Sequence, residues 1–241
     1  MNGFEYLAAY YDEFVGADYD KIVGYIHRIV QEHSPKAVYG VDLGCGSGTL
    51  TLRLADLGYD MIGVDGSEDM LSKAMEKKPI DSSVLFLQQD LEELDLYGPA
   101  DFMVSTLDCL NYLEGPREFL RRCALFLKSG GLLIFDYNTL YKYETILNGQ
   151  NFVYETEDTF CVWENEFEDN RMFYDLTYFV RDGAHYERFE DHQMQTYFSP
   201  EEVEGWLRDF GFEILKIEDD YSACPVNEKT QRRVVTARKK G

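Results

Sequence analysis

Between Val41 and Gly48 the chain reads Val-Asp-Leu-Gly-Cys-Gly-Ser-Gly, with three glycines at alternate positions behind an acid. Glycine backbone reaches positive φ and lets a ligand come close, and the N–H groups of a helix that follows such a loop point at whatever it holds. The chemistry indicated is cofactor binding, and the loop's details narrow the cofactor. A dinucleotide fingerprint wants a glycine at position 49, where this chain has Thr49. A phosphate-binding P-loop wants a lysine, and the loop has none. Asp42 would repel a pyrophosphate, but it suits a ligand that brings an ammonium and a sulfonium. S-adenosylmethionine (SAM) carries both.

Two more acids fall at strand ends. Met61 to Val64 is apolar and β-branched and runs into Asp65, about 20 residues past the loop, where an acid holds ribose hydroxyls. Val84 to Leu87 leads to Gln88, Gln89, Asp90 and Leu91, where an acid could accept the adenine amino proton. Any one of these acids alone reads as an ordinary strand-end or capping residue, but three at the ends of three successive strands form a pattern. With it the chain resembles the class I SAM-dependent methyltransferases, above all small bacterial members with an inserted β-lid. The resemblance covers nearly the whole chain, and its specific motifs lie between Val41 and Asp136.

The resemblance implies a set of cofactor contacts. Asp42 and the loop residues Gly44, Cys45, Gly46 and Gly48 would hold the methionine portion, Asp65 and Gly66 the ribose, and Asp90 the adenine amino group. Met70, Leu91 and Leu107 would pack around the adenine and the sulfur. In the resembling enzymes a tyrosine-rich N-terminal segment folds over the cofactor, which singles out Tyr11 among Tyr6, Tyr10, Tyr11 and Tyr19. The reaction implied is a direct displacement from the sulfonium that leaves S-adenosylhomocysteine, and no metal is expected.

The elements that must position these residues follow from periodicity. Apolar residues at helical spacing mark an opening segment to about Val15 and a helix over about 20–33, which stops before Ser34-Pro35. After the loop come a helix from Thr49 to Leu57 and a second from Ser67 to about Lys77, with Glu68 and Asp69 in its first turn. A fourth strand, Asp101 to Thr106, and a helix from about Pro116 to Leu127 precede a fifth strand, Leu132 to Tyr137. Such alternation predicts an α/β fold, a mostly parallel sheet with helices on both faces. The resemblance makes it seven-stranded, with the last strand antiparallel beside the fifth.

The exit of the fourth strand, Ser105 to Tyr112, lies where ligands bind in open α/β sheets. It lacks the Asn/Asp-Pro-Pro-aromatic signature of amino-group methylases and the Pro-Cys nucleophile of cytosine methylases. Asp108, Asn111 and Tyr112 are therefore candidates for small-substrate contacts, with capping and packing as the alternative uses.

Between Gly149 and Tyr197 helical periodicity gives way to alternation. Asp182-Gly183 is a strong hairpin signal and Asp169-Asn170 a weaker one. That register would set Trp163 opposite Leu176, Phe173 opposite His192 and Thr177 opposite Arg188. Trp163, Phe167, Met172, Tyr174, Leu176, Tyr178 and Phe189 would then share one side, and Glu164, Glu166, Asp175, Thr177, Arg188, Glu190 and His192 the other. The plain expectation is an apolar side packed down and a polar side in water; if instead the polar side, or the sheet's edge, roofs the site, His192 is a candidate base and Arg188 a substrate contact. Residues 1–149 and 198–241 would form the SAM-binding core, and 150–197 an antiparallel β-sheet lid. Ser199-Pro200-Glu201-Glu202 restarts the core with a capping box.

At 241 residues, 45% hydrophobic and 15% aromatic, the chain suits one globular domain with an insertion. A net charge of −22 argues against broad nucleic-acid affinity. Small basic clusters such as Arg232 with Arg233 read as solvated faces. Five scattered cysteines without a C-x-x-C pair indicate neither a disulfide framework nor a zinc site and fit a reducing cytoplasm. No run approaches a membrane span. The reading is a cytoplasmic SAM-dependent methyltransferase acting on an oxygen or nitrogen of a small molecule. Alternatives are a SAM-binding module without catalysis, a methyltransferase for RNA or protein, and a nicotinamide oxidoreductase, the last disfavoured by Thr49 and Asp42. Oligomeric state is not legible.

Overall fold

The structure, a computed structural model, describes residues 16–241. The opening amphipathic segment and Tyr11 lie outside the described residues. Helix α1 (Tyr19–His33) starts where the Asp18 carboxylate accepts from the Lys21 N–H, and it buries Ile22, Tyr25, Ile26, Ile29 and Val30 along one stripe. Then β1 (Tyr39–Leu43), α2 (Thr49–Asp56), β2 (Asp60–Asp65), α3 (Glu68–Lys77), β3 (Leu85–Gln88) and β4 (Ala100–Ser105) alternate as the periodicity predicts. A one-turn helix, α4 (Cys109–Tyr112), precedes α5 (Pro116–Phe126) and β5 (Leu127–Asn138).

The main sheet is completed by β10 (Phe212–Asp219) and β11 (Arg232–Lys239), with α6 (Pro200–Asp209) entering through the Ser199–Glu202 capping box. The seven strands lie in the order β10-β11-β5-β4-β1-β2-β3. Strands β1 to β5 pair in parallel, and β11 is antiparallel to both β5 and β10. Parallel pairing brings the carboxyl ends of β1 to β5 to one edge. α5 and α6 bury Phe119, Leu120, Val203 and Leu207 on one face of this sheet, while α1 and α2 bury Ile26, Ile29, Leu50 and Leu54 on the other. Among the described residues no helix is long and apolar enough to cross a membrane.

After β5 a wide helical turn (Lys142–Leu147) leads into a second sheet, β6 (Asn151–Glu155), β7 (Thr159–Glu168), β8 (Arg171–Asp182) and β9 (His185–Thr196), antiparallel in that order. Trp163 pairs with Leu176 as expected. The β8–β9 register is two residues away from expectation, with Asp175 opposite His192 and Phe179 opposite Arg188. The cause is the turn: Asp182 pairs with His185, so Gly183-Ala184 is the two-residue loop, and Gly183 takes φ 61° at its first central position. At the other hairpin Asp169 and Asn170 both have positive φ, the pattern of a type I′ turn. A shift of two conserves parity, so the two sides hold the residues expected of them.

The apolar side packs down and the polar side faces water, the plainer of the two expected orientations. Cys161, Met172, Tyr174, Leu176 and Tyr178 are buried with Tyr143 beneath the sheet. His192 and Arg188 lie on the outer face, their side chains 72% and 56% exposed, paired with Asp175 and Glu190. Burying these apolar and aromatic side chains outweighs anything the charged side could gain from enclosure, so the charged side is left to water. Neither His192 as base nor Arg188 as substrate contact survives this placement.

Candidate functional site

The glycine loop follows β1 as a tight turn in which Gly44, Gly46 and Gly48 all have positive φ. Two of these positions also admit no side chain. A Cβ on Gly44 would stand 2.4 Å from the Cys109 Sγ, and one on Gly48 would stand 2.7 Å from the Phe86 ring. The loop is tied to β2 by the N–H groups of Gly44 and Cys45, which donate to the Val64 carbonyl at 2.8 and 3.0 Å.

Asp65 ends β2 beneath this loop. Its Oδ2 accepts from the Gly46 N–H at 2.8 Å and its Oδ1 from the Ser67 N–H at 2.9 Å, and each oxygen keeps a further lone pair. Burial raises its pKa, while the N–H groups of Ser67, Gly46 and Gly66 oppose the rise. Asp42 is more deeply placed, 1% exposed, and accepts from the Thr51 hydroxyl at 2.6 Å. Burial pushes its pKa up to about 7, with Thr51 opposing and the Asp65 charge adding. Asp90, after β3, accepts from the Glu92 N–H at 2.8 Å; Leu91 and Met70 are buried beside it and in α3. The Gly66 backbone has open space on its Cα side, with the nearest atom 3.9 Å from a built Cβ.

The exit of β4 is the second half of the site. Leu107 and Asp108 take φ 58° and 57°, a conformation that costs ordinary residues about 1–3 kcal/mol each and persists only where neighbours enforce it. Here the enforcing group is Asp136 of β5, fully buried, whose carboxylate accepts the Leu107 and Asp108 N–H groups at 2.7 and 2.5 Å and the Tyr221 hydroxyl. Asp108 in turn accepts from Arg232 and from Gln195 Nε2, both at 2.5 Å. Burial alone would raise the Asp108 pKa, but Lys142, Arg232 and Gln195 outweigh it and hold it at about 2.

Gln195, at the end of β9, is the hub where the two sheets meet. Its Oε1 accepts from Asn138 Nδ2, the Tyr143 hydroxyl and the Tyr174 hydroxyl at 2.9–3.0 Å while its amide donates to Asp108. Between this junction and the inner face of the second sheet lies a cavity of about 230 Å³. Leu107, Asp108, Tyr112, Lys142, Trp163 and Arg232 are among its walls.

The sequence-derived substrate residues divide accordingly. Asp108 and Tyr112 line the cavity, the Tyr112 hydroxyl donating to Gln193 Oε1 at 2.9 Å. Asn111 does not: it is 1% exposed and has both amide atoms engaged, with the Thr196 carbonyl and the Asn138 N–H. It fastens β9 to β5, which corrects its reading as a substrate contact. Lys142, Arg232, Gln193 and Gln195 were not singled out for chemistry. Arg232, expected on a solvated face, is paired with Asp108 at 2.5 Å and lies 3.6 Å from Asp136. The available signal was the single Asp136 at the end of a wholly apolar strand, since a buried acid demands a buried cation.

Comparison with known proteins agrees with this geometry. A family model described as a methyltransferase domain matches residues 11–217. YqeM of Bacillus subtilis (strain 168), named as a methyltransferase, is 30% identical over 240 residues, 97% of this chain and 96% of its own length. The crystal structure of an S-adenosylmethionine-dependent methyltransferase from Clostridium acetobutylicum ATCC 824 is 30% identical, covers 100% of both chains and gives a TM-score of 0.88. SAM-bound CalS10, an amino pentose methyltransferase from Micromonospora echinaspora, shares the fold at 19% identity, with a TM-score of 0.75 over 96% of this chain and 95% of its own. A glycine loop over a β2 acid, the strand order of the main sheet and relatives spanning the full chain have one common reading: the chain belongs to the class I SAM-dependent methyltransferases.

Proposed function

We propose that the protein transfers the methyl group of SAM to an oxygen or nitrogen of a small molecule held in the cavity between the β4 exit and the second sheet. The observation that carries this is adjacency. Gly44 of the cofactor loop abuts Cys109, one residue past Asp108 in the cavity wall, so loop and cavity share a boundary. The residues fit the cofactor: positive φ at Gly44, Gly46 and Gly48 turns the loop tightly over Asp65, whose oxygens keep lone pairs for ribose hydroxyls.

SAM supplies a methyl group on a sulfonium, a leaving group already activated. Asp65 binds ribose hydroxyls through its remaining lone pairs, Asp90 and Leu91 take the adenine, and Asp42 supplies negative charge beneath the methionine end. Leu107 separates cofactor from acceptor. The Asp136 carboxylate fixes the Leu107–Asp108 turn, and so sets the angle at which the acceptor presents its nucleophilic atom; alignment of this kind is a large part of such a rate enhancement. The second sheet, 150–197, acts as a lid on a core formed by 1–149 and 198–241, excluding water with its aromatic face. Among the described residues no His, Cys, Asp and Glu group could hold a metal.

Calorimetric titration with SAM and S-adenosylhomocysteine tests the reading. Micromolar binding that Asp65→Ala removes is expected. Well-folded protein that binds neither ligand would falsify it. Binding without turnover across a broad panel of acceptors would favour a SAM-binding module.

A further inference from the structure

The cavity beneath the second sheet holds one ammonium with hydrogen-bond donors that no protein acceptor takes. Its walls are largely apolar, with the rings of Phe152, Tyr154, Trp163 and Tyr174 and the side chains of Leu147 and Leu176. Its polar end holds Asp108, Arg232 and Lys142. The first two answer each other, with Arg232 bonded to Asp108 at 2.5 Å and also facing Asp136 at 3.6 Å. Asp136, beneath them, already receives the Leu107 and Asp108 N–H groups and the Tyr221 hydroxyl. Asp220 lies 3.9 Å from Arg232 and is bonded to Lys21 at 2.8 Å.

Lys142 is left. Among the described residues no carboxylate lies within 4.0 Å of its Nζ, and its one hydrogen bond runs 2.8 Å to the Asn138 Oδ1. An ammonium has three donors, so two have no protein acceptor. Burial pulls the Lys142 pKa down, and the Asp108 charge pulls it back up. A half-buried ammonium with spare donors at the end of an aromatic cavity is a costly arrangement unless a ligand completes it.

On the reading of this cavity as the acceptor site, we infer that the methyl acceptor is a flat aromatic small molecule carrying a carboxylate, which Lys142 binds. The rings enclose the flat body, and the two spare N–H groups take the carboxylate oxygens.

The chain has two tryptophans, Trp163 in the cavity wall and Trp206 on α6. In a Trp206→Phe background the emission of Trp163 reports the cavity alone. It would be titrated with benzoate, benzyl alcohol and benzylamine, which share a ring and differ in charge, with and without S-adenosylhomocysteine. Benzoate should bind at least about tenfold tighter than the alcohol, as a charge-assisted hydrogen bond implies, and benzylamine weakest. Lys142→Met should abolish the benzoate advantage and leave benzyl alcohol unchanged.

Equal binding of benzoate and the alcohol, a preference for benzylamine, no binding of any probe, or a benzoate advantage that survives Lys142→Met would each overturn the inference. The ranking in the Trp206→Phe protein decides the matter even if Lys142→Met fails to fold. Calorimetry with S-adenosylhomocysteine on the same protein separates the two readings. A benzoate preference without cofactor binding sinks methyl transfer and leaves the anion site standing, whereas cofactor binding without the preference does the opposite.

Discussion

Asp42 is a carboxyl group enclosed under the cofactor loop, and its protonation makes a prediction. Its folded-state pKa is raised to about 7 by burial, the Thr51 hydrogen bond opposing and the Asp65 charge adding, whereas an unfolded aspartate titrates near 3.9. Below about pH 4 both states hold the proton, so the group is neutral towards stability. Between about pH 4 and 7 the unfolded chain ionises first, and the folded state loses ground as pH rises. Above about 7 the penalty is constant at roughly 4 kcal/mol. Asp42→Asn keeps an oxygen for the Thr51 hydroxyl and cannot ionise. Denaturant unfolding across this window should show the wild type losing roughly 4 kcal/mol more than the variant; parallel pH profiles would contradict the placement. Gly44 makes a second prediction. Gly44→Ala meets both a positive φ of 74° and the Cys109 Sγ at 2.4 Å. It should abolish binding of S-adenosylhomocysteine, and adding Cys109→Ala should relieve the clash but leave the backbone cost of about 1–2 kcal/mol. His192, exposed and paired with Asp175, should by contrast be replaceable by alanine with no change in cofactor binding or turnover.

The bonds between the two sheets are densest at one amide. Gln195 of β9 joins the second sheet to Asp108, Asn138 and Tyr143, and it is 1% exposed. Gln195→Leu conserves bulk but strands three buried donors, from Asn138, Tyr143 and Tyr174, at a cost of roughly 3–5 kcal/mol. Hydrogen exchange should then show protection lost first over β9 and the Leu107–Asp108 turn, with β1 and β2 unchanged; uniform loss would mean that Gln195 supports the whole fold. The main sheet and its loop were legible because each carries its own local signal: glycines that only a tight turn explains, and acids that end apolar runs. The hairpin register was not, because Asp182-Gly183 and Gly183-Ala184 are both sound two-residue turns and only the structure chooses. The orientation of the second sheet was one of two expected, but the chemistry was placed on the wrong face. Its inner face mixes Asn165, Gln193 and Gln195 among the aromatics, so the charged face looked the more chemical of the two. Lys142 and Arg232 gave only the indirect signal of an acid in an apolar run, since they meet only when a helical turn after β5 and the start of β11 are folded together.

At the scale of the whole molecule the net charge of −22 works against an anionic acceptor entering a site whose spare hydrogen-bond donors are those of an ammonium. The two effects differ in range, and salt separates them. Repulsion between the chain's surface and an approaching carboxylate acts over about one screening length, roughly 30 Å at 0.01 M salt and 8 Å at 0.15 M, so it governs the rate of encounter. The Lys142 contact forms at hydrogen-bond distance in a cavity shielded by aromatic rings, where added ions screen little, so it governs the rate of escape. Raising salt across that range should therefore speed benzoate association while changing its dissociation little, and affinity should improve. Most ion-paired complexes weaken with salt, so the sign is diagnostic. Stopped-flow titration of the Trp163 signal measures both rates. An association rate that falls with salt would mean that the acceptor meets a locally positive entrance. The same acidic surface should keep RNA from binding in a salt-sensitive way, because counterion release needs a basic track to replace the counterions.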